Sequence, residues 1–321
     1  MLTSRGIILT SSASSIASGP RRTHEVRSER GFLHELKRSS SLGMLYGGAI
    51  TVFYLVVFII PFGTAVWLSL QNWDFIVSPK FVGVRNFQRL FMDKYFWKAL
   101  RVTVMFSVVE ISVAVGLALL LALLLSRLRG RWERLFLSLF YLPLITPSVV
   151  TVYLWQWLYR VNGGPINALL ASLGLPEQPF MNSPDQALWA VTLMVIWTQL
   201  GGVTVILLSG IKNVPESLHD AAKIDGAGFW QQFFLITMPL IRPVLVYQVV
   251  ASVIGTVQMF EPFFLMTGPA FSTRNLAAYT YELGFKAMNL GYGAAVSMVI
   301  FCLLLFATVF QLNRWQVNWE Y

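Results

Sequence analysis

Six stretches of apolar residues, each long enough to cross a lipid bilayer as a helix, run along the chain. A bilayer core of about 30 Å requires about 20 helical residues at about 1.5 Å per residue. Polar segments separate the stretches, so the pattern predicts an all-α integral membrane protein with six transmembrane helices. The stretches are Gly43–Leu70, Val102–Ser126, Leu135–Leu158, Leu188–Ile211, Val244–Met266 and Ala294–Asn313.

Prolines interrupt two of these stretches. Pro61 lies in the first, and Pro143 and Pro147 lie in the third. Proline frees backbone carbonyls, which neighbouring helices can satisfy inside a membrane, so kinks are tolerated there. We therefore expect kinks at these prolines and room for a cavity beside them.

The composition supports a membrane protein. Hydrophobic residues make up 56% of the 321 residues and charged residues only 12%, against about 25% charged in an ordinary soluble domain. The net charge of +9 invites a nucleic-acid interpretation. However, the basic residues lie between apolar stretches without a recognition motif, where lipid headgroups and topology explain them better. We expect the lipid bilayer, and no nucleic acid, as a partner.

The distribution of lysine and arginine predicts the orientation. With the N-terminus inside, fifteen of these residues fall in inner segments and nine in outer ones, which favours cytoplasmic N- and C-termini. Residues 1–42 are rich in serine and arginine and lack an apolar signal core, so we expect a disordered cytoplasmic tail. Residues 43–315 then form the membrane domain, and 316–321 a cytoplasmic C-terminal tail.

The polar segment 213–239, between the fourth and fifth stretches, has the pattern of a surface helix–turn–helix. Asn213 is suited to cap a helix, with Glu216 as its capping-box partner. Gly226 suits the left-handed position that ends a helix. A second amphipathic stretch, Phe229–Ile236, leads back to the membrane. The capping signals argue against the alternative of an ordinary loop and favour a docking surface on the cytoplasmic face.

This segment also carries a family resemblance. The run Asp220-Ala-Ala-Lys-Ile-Asp-Gly-Ala227 followed by Pro239 resembles the signature of binding-protein-dependent ABC importer permeases, in which Glu-Ala-Ala precedes Asp-Gly-Ala and a Leu-Pro pair. Asp220 replaces the usual Glu, and Met238 the usual Leu. The outer segments Phe81–Phe87 and Phe260–Pro269 are similar to those of carbohydrate-type permeases, in particular the first permease of a pair. The resemblance covers roughly residues 44–315.

The resemblance implies a type I ABC importer permease in a bacterial or archaeal cell membrane. It implies three protein partners: a second homologous permease, an ATP-binding-cassette ATPase dimer, and an extracellular or periplasmic solute-binding protein. ATP and magnesium would be used by the ATPase, which contacts a coupling helix in this chain. The residues that the resemblance assigns to coupling are Glu216, Asp220, Ala221, Ala222, Asp225, Gly226, Ala227 and Pro239.

The chain offers no chemistry of its own for ATP hydrolysis. It contains no Gly-x-x-x-x-Gly-Lys-Ser/Thr phosphate loop. Its three histidines are far apart in the sequence and its single cysteine, Cys302, lies in an apolar stretch, so no metal-site spacing occurs. We expect a transporter subunit that is not an enzyme and binds no cofactor or metal.

Two acidic residues lie within the apolar stretches, and such residues are costly in a membrane unless they serve a function. Glu261 is close to Thr256, Gln258 and Phe260, a combination of groups that suits sugar hydroxyls and sugar faces. The alternative is that Glu261 lies at the hydrated interface. Glu110 lies deeper, either on the substrate path or hydrogen-bonded to a neighbouring helix.

We therefore expect half of a translocation path for a sugar or oligosaccharide, coupled to a separate ATPase. A polyol or glycerol phosphate is the alternative substrate. A proton-coupled transporter that uses Glu110 and Glu261 is a second alternative, although no internal repeat accompanies it. A membrane-embedded enzyme is a third, although the spans contain no catalytic constellation.

Overall fold

The computed structural model describes residues 43–315, so both predicted tails lie outside the described residues. It divides into two units, Met1–Phe62 and Gly63–Tyr321. The described residues of the first unit are all helical and exposed, and they belong to the helix Gly43–Ser69, here called span 1. A π turn at Leu55–Ile59 ends two residues before Pro61. The wider turn relieves the clash of the proline ring with the preceding carbonyls, so the helix continues through Pro61.

The second unit contains the remaining hydrophobic segments. Within residues 43–315, five helices, span 1 included, are long and apolar enough to cross a membrane, and a bent helix pair makes six when it is counted as one span. The prediction of six helical hydrophobic segments is confirmed, whereas the orientation of the termini stays a prediction. The spans that follow span 1 are, in chain order, Lys94–Ser126 (span 2), the pair Arg131–Ile145 and Ser148–Leu158 (span 3), Ala187–Lys212 (span 4), Phe229–Leu265 (span 5) and Leu290–Arg314 (span 6).

Short elements connect the spans. Strand β1 (Gln71–Asn72) pairs antiparallel with β2 (Lys80–Phe81), and Gln71 lies opposite Phe81. The connecting helices are Arg85–Met92, Pro165–Ser172, Glu216–Ile224 and Leu276–Tyr281, and single 3-10 turns occupy Phe180–Asn182 and Pro269–Phe271. A π turn, Glu282–Lys286, precedes span 6. Within span 5 the segments are Phe229–Gln232, the π turn Phe233–Thr237, Met238–Gln258 and, after a break, Glu261–Leu265.

Two spans begin at least eight residues earlier than the apolar pattern predicts. Span 2 was expected to start at Val102, but it begins at Lys94, eight residues earlier. Asp93 caps this helix by accepting a hydrogen bond from the Tyr95 amide at 2.9 Å. Span 5 was expected over Val244–Met266, but its helical residues begin at Phe229. In both cases the extra turns are amphipathic, so hydropathy alone does not include them.

Span 3 is not the single kinked helix that the sequence predicts. Its two halves are bent by 93°. Thr146, between them, is extended (φ −74°, ψ 133°) because the residue before a proline avoids the helical region. The expected kink therefore occurs at Pro147, whereas Pro143 stays inside the first half.

The core is built around spans 2 and 4. Small side chains at four-residue spacing, Ala114, Ala118 and Ala122, are buried on span 2 and let the helices approach closely, as in other membrane bundles. Span 4 meets the first half of span 3 equally closely. A Cβ added to Gly201 would lie 2.0 Å from the carbonyl oxygen of Phe140.

A carboxylate joins the N-terminal ends of spans 2 and 6. The hydroxyls of Tyr279 and Tyr292 donate to Asp93 Oδ2 at 2.5 and 2.6 Å. Burial disfavours the Asp93 carboxylate, but these hydroxyls and backbone amides outweigh burial and hold its pKa below the ordinary value. The Arg89 guanidinium lies 4.4 Å from the Tyr292 ring centroid and completes the cluster.

We predict that Gly201→Ala destabilises the protein by about 1–3 kcal/mol, the cost of overpacking a close helix contact. Gly116→Ala is the matched control, because a Cβ there meets nothing within 4 Å. Thermal unfolding of the two purified variants in detergent measures the difference. Equal melting temperatures would show that spans 3 and 4 do not approach as described.

We also predict that Asp93→Asn lowers stability by about 1–3 kcal/mol at neutral pH, because the hydrogen bonds from two tyrosines lose their charged acceptor. The pKa of Asp93 is lower in the folded protein than in the unfolded chain. The stabilisation that its carboxylate provides is therefore complete above the ordinary carboxyl pKa and is lost as the pH falls through the pKa of the folded state. The difference between wild type and variant should therefore shrink on acidification below pH ~4. Unfolding curves across pH, with exposed Glu177→Gln as control, test this; a constant difference would contradict it.

Candidate functional site

The surface segment 216–232, which follows span 4 and includes the first helical turn of span 5, is well ordered by local hydrogen bonds. The helix Glu216–Ile224 is followed by a turn in which Gly226 adopts the predicted left-handed conformation, with φ +80°. The Ala227 amide donates to the Ala222 carbonyl at 2.8 Å and the Gly226 amide to the Lys223 carbonyl at 3.1 Å. This is the Schellman arrangement that closes helix C-termini. The turn between the two helical arms is therefore fixed by its backbone.

The predicted capping box at the start of this segment is wrong. Asn213 is the C-terminal cap of span 4, and the surface helix follows Pro215, which offers no side-chain cap. The proline at that position fixes the backbone before the first turn. The second arm has the better N-terminal cap, since the Gly228 amide donates to Gln231 Oε1 at 2.8 Å.

Side-chain contacts hold the two arms together and attach them to span 2. His219 Nδ1 lies 3.2 Å from Gln232 Oε1, and Gln232 Nε2 donates to the Ala227 carbonyl at 2.8 Å. The Arg127 guanidinium lies 4.5 Å from the Phe229 ring centroid. These contacts connect the two arms to each other and connect the segment to the end of span 2.

Of the eight residues assigned to coupling, seven lie on this segment and Pro239 lies on span 5. Six of them are exposed, whereas Ala222 and Ala227 are half-buried in the turn. Asp220 pairs with Lys223 at 2.9 Å and Glu216 with Arg129 at 3.5 Å, both in solvent, where such pairs contribute little stability. Pro239 is separate from the others, on the exposed side of span 5 after the π turn Phe233–Thr237. The exposed members are Glu216, Asp220, Ala221, Asp225, Gly226 and Pro239.

Large apolar side chains are also exposed on the segment. Ile224 is 87% exposed and Trp230 is 65% exposed, and both flank the turn at Gly226. Burying two such side chains against a partner removes a substantial apolar area from water. The segment therefore presents a rigid, partly apolar surface.

A second candidate site is a cavity of about 260 Å³ among spans 3, 4 and 5. The break at Pro147 and the break after Gln258 both border it. Ser148 donates a hydrogen bond to the Glu261 carboxylate across the two breaks. Thr151 Oγ1 is buried without a hydrogen-bond partner among residues 43–315. The lining combines hydroxyl, amide and carboxylate groups with aromatic and methionine side chains, including Ser148, Thr151, Thr198, Gln199, Met259, Phe260 and Glu261.

The structure brings together only two of the five predicted path residues, Phe260 and Glu261. Thr256 is buried and bonds back to the Val253 carbonyl, and Gln258 is exposed outside the cavity lining. Glu110 is 3% exposed, and its Oε2 has no hydrogen-bond partner within the described residues. Within the described residues, this oxygen therefore gives no support to the alternative that Glu110 is hydrogen-bonded to a neighbouring helix.

Sequence reasoning missed the residues of spans 3 and 4 in this cavity. Ser148 directly follows Pro147. The proline therefore indicated where the helix breaks, but it did not indicate that Ser148 would contact Glu261. Thr198 and Gln199 lie in the middle of a predominantly apolar span. The pairing of span 3 with the end of span 5 joins residues 113 positions apart, and no local pattern encodes it.

Comparison with known proteins agrees with this architecture. A family model described as the binding-protein-dependent transport system inner membrane component matches residues 114–317. The trehalose/maltose transport system permease protein MalF of Thermococcus litoralis is 32% identical over 279 residues, covering 86% of this chain and 94% of that protein. The sn-glycerol-3-phosphate transport system permease protein UgpA of Yersinia pseudotuberculosis is 33% identical over 262 residues, covering 80% and 88%.

A solved structure shares the fold. In the crystal structure of a bacterial alginate ABC transporter, in complex with alginate pentasaccharide-bound periplasmic protein, one chain superposes with a TM-score of 0.77 at 20% identity, covering 88% of this chain and 96% of that one. The chain studied here belongs to the family of binding-protein-dependent transport system inner membrane components. It is a multi-pass membrane permease subunit of an ABC importer with the type I fold.

Proposed function

We propose that this permease forms half of a path for a neutral sugar or oligosaccharide, and that its surface segment 216–232 couples the path to a separate ATPase. The single observation that carries the coupling role is the ordered turn at Gly226, flanked by exposed Ile224 and Trp230. A hinge or disordered loop would transmit no displacement, whereas a turn fixed by backbone hydrogen bonds does.

The nucleotide chemistry belongs to the partner in this proposal. The sequence contains no phosphate loop, which supports the proposal that ATP is hydrolysed by another subunit. A dimer of ATPase subunits supplies the ATP and magnesium chemistry. Its movement shifts the permease between two states only if it contacts the segment differently in each.

A second permease and a solute-binding protein complete the proposed assembly. The cavity bordered by Glu261 is lined by three spans of this chain, which suits one wall of a path shared with a homologous subunit. The solved alginate transporter carries a sugar-loaded periplasmic protein. We infer an equivalent external partner that delivers the substrate, with both termini of this permease in the cytoplasm.

The charge of the cavity favours a neutral sugar over glycerol phosphate. The two similar permeases, one named for trehalose and maltose and one for glycerol phosphate, are almost equally identical to this chain, so identity does not choose between them. The lining contains the Glu261 carboxylate and, within the described residues, neither lysine nor arginine. A phosphate group would meet a negative charge there without a cation, whereas sugar hydroxyls can donate to Glu261.

We predict that Ile224→Glu uncouples the permease from its ATPase, because a charge replaces an apolar contact at the proposed interface. Co-purification of the ATPase with the tagged permease should fall about tenfold or more, together with sugar uptake. Ile76→Glu is the matched control, since Ile76 is 86% exposed in the loop between β1 and β2. Retention of the ATPase by Ile224→Glu, or its loss in Ile76→Glu, would refute the coupling assignment.

We predict that Glu261→Gln impairs transport without affecting ATPase binding. Removing a charged hydrogen-bond acceptor costs about 1.5–3 kcal/mol, so uptake of labelled disaccharide should fall about tenfold to a hundredfold. Glu177→Gln, in an exposed loop, is the control. Competition by trehalose and maltose but not by glycerol phosphate should accompany wild-type uptake. Unchanged uptake in Glu261→Gln would remove this residue from the path.

A further inference from the structure

An open groove of about 810 Å³ lies between the N-terminal ends of spans 2 and 4, away from the cavity beside Glu261. Tryptophans stand on both of its sides, Trp97 on span 2 and Trp189 on span 4, and they are 49% and 42% exposed. The Trp97 indole donates to the Phe91 carbonyl at 3.0 Å, which fixes its orientation. Exposed tryptophans at helix ends are typical of the boundary between lipid headgroups and hydrocarbon.

Below the tryptophans, both helices present apolar stripes to their surroundings. On span 2, Val104 and Val108 follow Trp97 at helical spacing and are more than half exposed. On span 4, Leu193 follows Trp189 by four residues and is also more than half exposed. Side chains at these spacings lie on one face of a helix. The groove therefore opens onto surfaces suited to acyl chains.

The groove also carries an excess of positive charge. Arg101 is exposed one turn after Trp97, and its guanidinium has no hydrogen bond or ion pair within residues 43–315. Lys98 Nζ donates to the Ala270 carbonyl at 2.7 Å, which uses one of its three donors. Asp185 is the single acidic residue that the described chain contributes to the lining. Two cations against one carboxylate leave the groove attractive to an anion.

The geometry points to a binding site for an anionic phospholipid, with its phosphate on Arg101 and Lys98 and its acyl chains along the apolar stripes. Lysine and arginine beside the membrane surface attract anionic lipid headgroups. Span 2 has 33 residues, about 50 Å at about 1.5 Å per residue, which exceeds a bilayer core of about 30 Å. Arg101 lies where the polar end of this long helix gives way to its apolar part, at the depth of a headgroup. Phosphatidylglycerol fits better than a zwitterionic lipid because the net charge of the groove is positive.

The test uses the full-length chain in a mild detergent, with native mass spectrometry to count bound lipids. Wild type should retain phosphatidylglycerol at least about fivefold over phosphatidylcholine at equal concentrations, and Arg101→Gln should lose most of this preference. Arg160→Gln is the matched control, because Arg160 is equally exposed beyond span 3 and does not line the groove. Monodisperse size-exclusion profiles and equal melting temperatures establish that the variants are folded.

Equal retention of the two lipids by wild type, or an unchanged preference in Arg101→Gln, would overturn the lipid assignment. An excess of free glycerol phosphate, which has the headgroup charge but no acyl chains, should leave the bound lipid in place. Displacement of the lipid by this excess would instead assign the groove to a soluble anion and contradict the proposal. None of these outcomes depends on sugar transport or ATPase binding, so the proposal and the proposed function can fail separately.

Discussion

A bilayer offers peptide groups no hydrogen-bond partner, and this constraint governs where the helices of this permease are interrupted. The chain breaks regular structure in two adjacent places, at Thr146–Pro147 in span 3 and after Gln258 in span 5. The side chain of Asn275 donates to the Met259 carbonyl at 2.5 Å and so satisfies a carbonyl that the second break exposes. Both breaks border the cavity beside Glu261. Irregular backbone thus occurs where polar groups can line a site.

The surface segment 216–232 lies outside the hydrophobic stretches, so packing inside the membrane does not hold it in shape. Its turn is closed by backbone hydrogen bonds to Ala222 and Lys223 rather than by burial. The contact of Arg127 with Phe229 attaches it to the end of span 2. The segment keeps its shape while leaving Ile224 and Trp230 free to contact another protein. Rigidity without burial is what a docking surface requires.

Much of this arrangement can be predicted from the sequence, and the failures have physical causes. The six hydrophobic segments follow from hydropathy, and the left-handed turn follows from Gly226 because other residues avoid that conformation. The helix ends at Asp93 and Phe229 were missed because amphipathic turns continue the helices beyond the apolar windows. The cap was misplaced because Asn213 could end one helix or begin the next. The partnership of Ser148 with Glu261 depends on tertiary packing between distant segments, which a local pattern does not contain.

The surface arm and the cavity wall share one nearly continuous helical rod. Helical residues run from Phe229 to Gln258 without an interruption other than the π turn at Phe233–Thr237, a length of about 45 Å at about 1.5 Å per residue. Because a helix resists compression along its axis, a displacement near Trp230 is transmitted along the rod unless the helix bends near that π turn and the prolines beside it. The far end of the helix, which carries the break next to Glu261, would then move together with the surface arm.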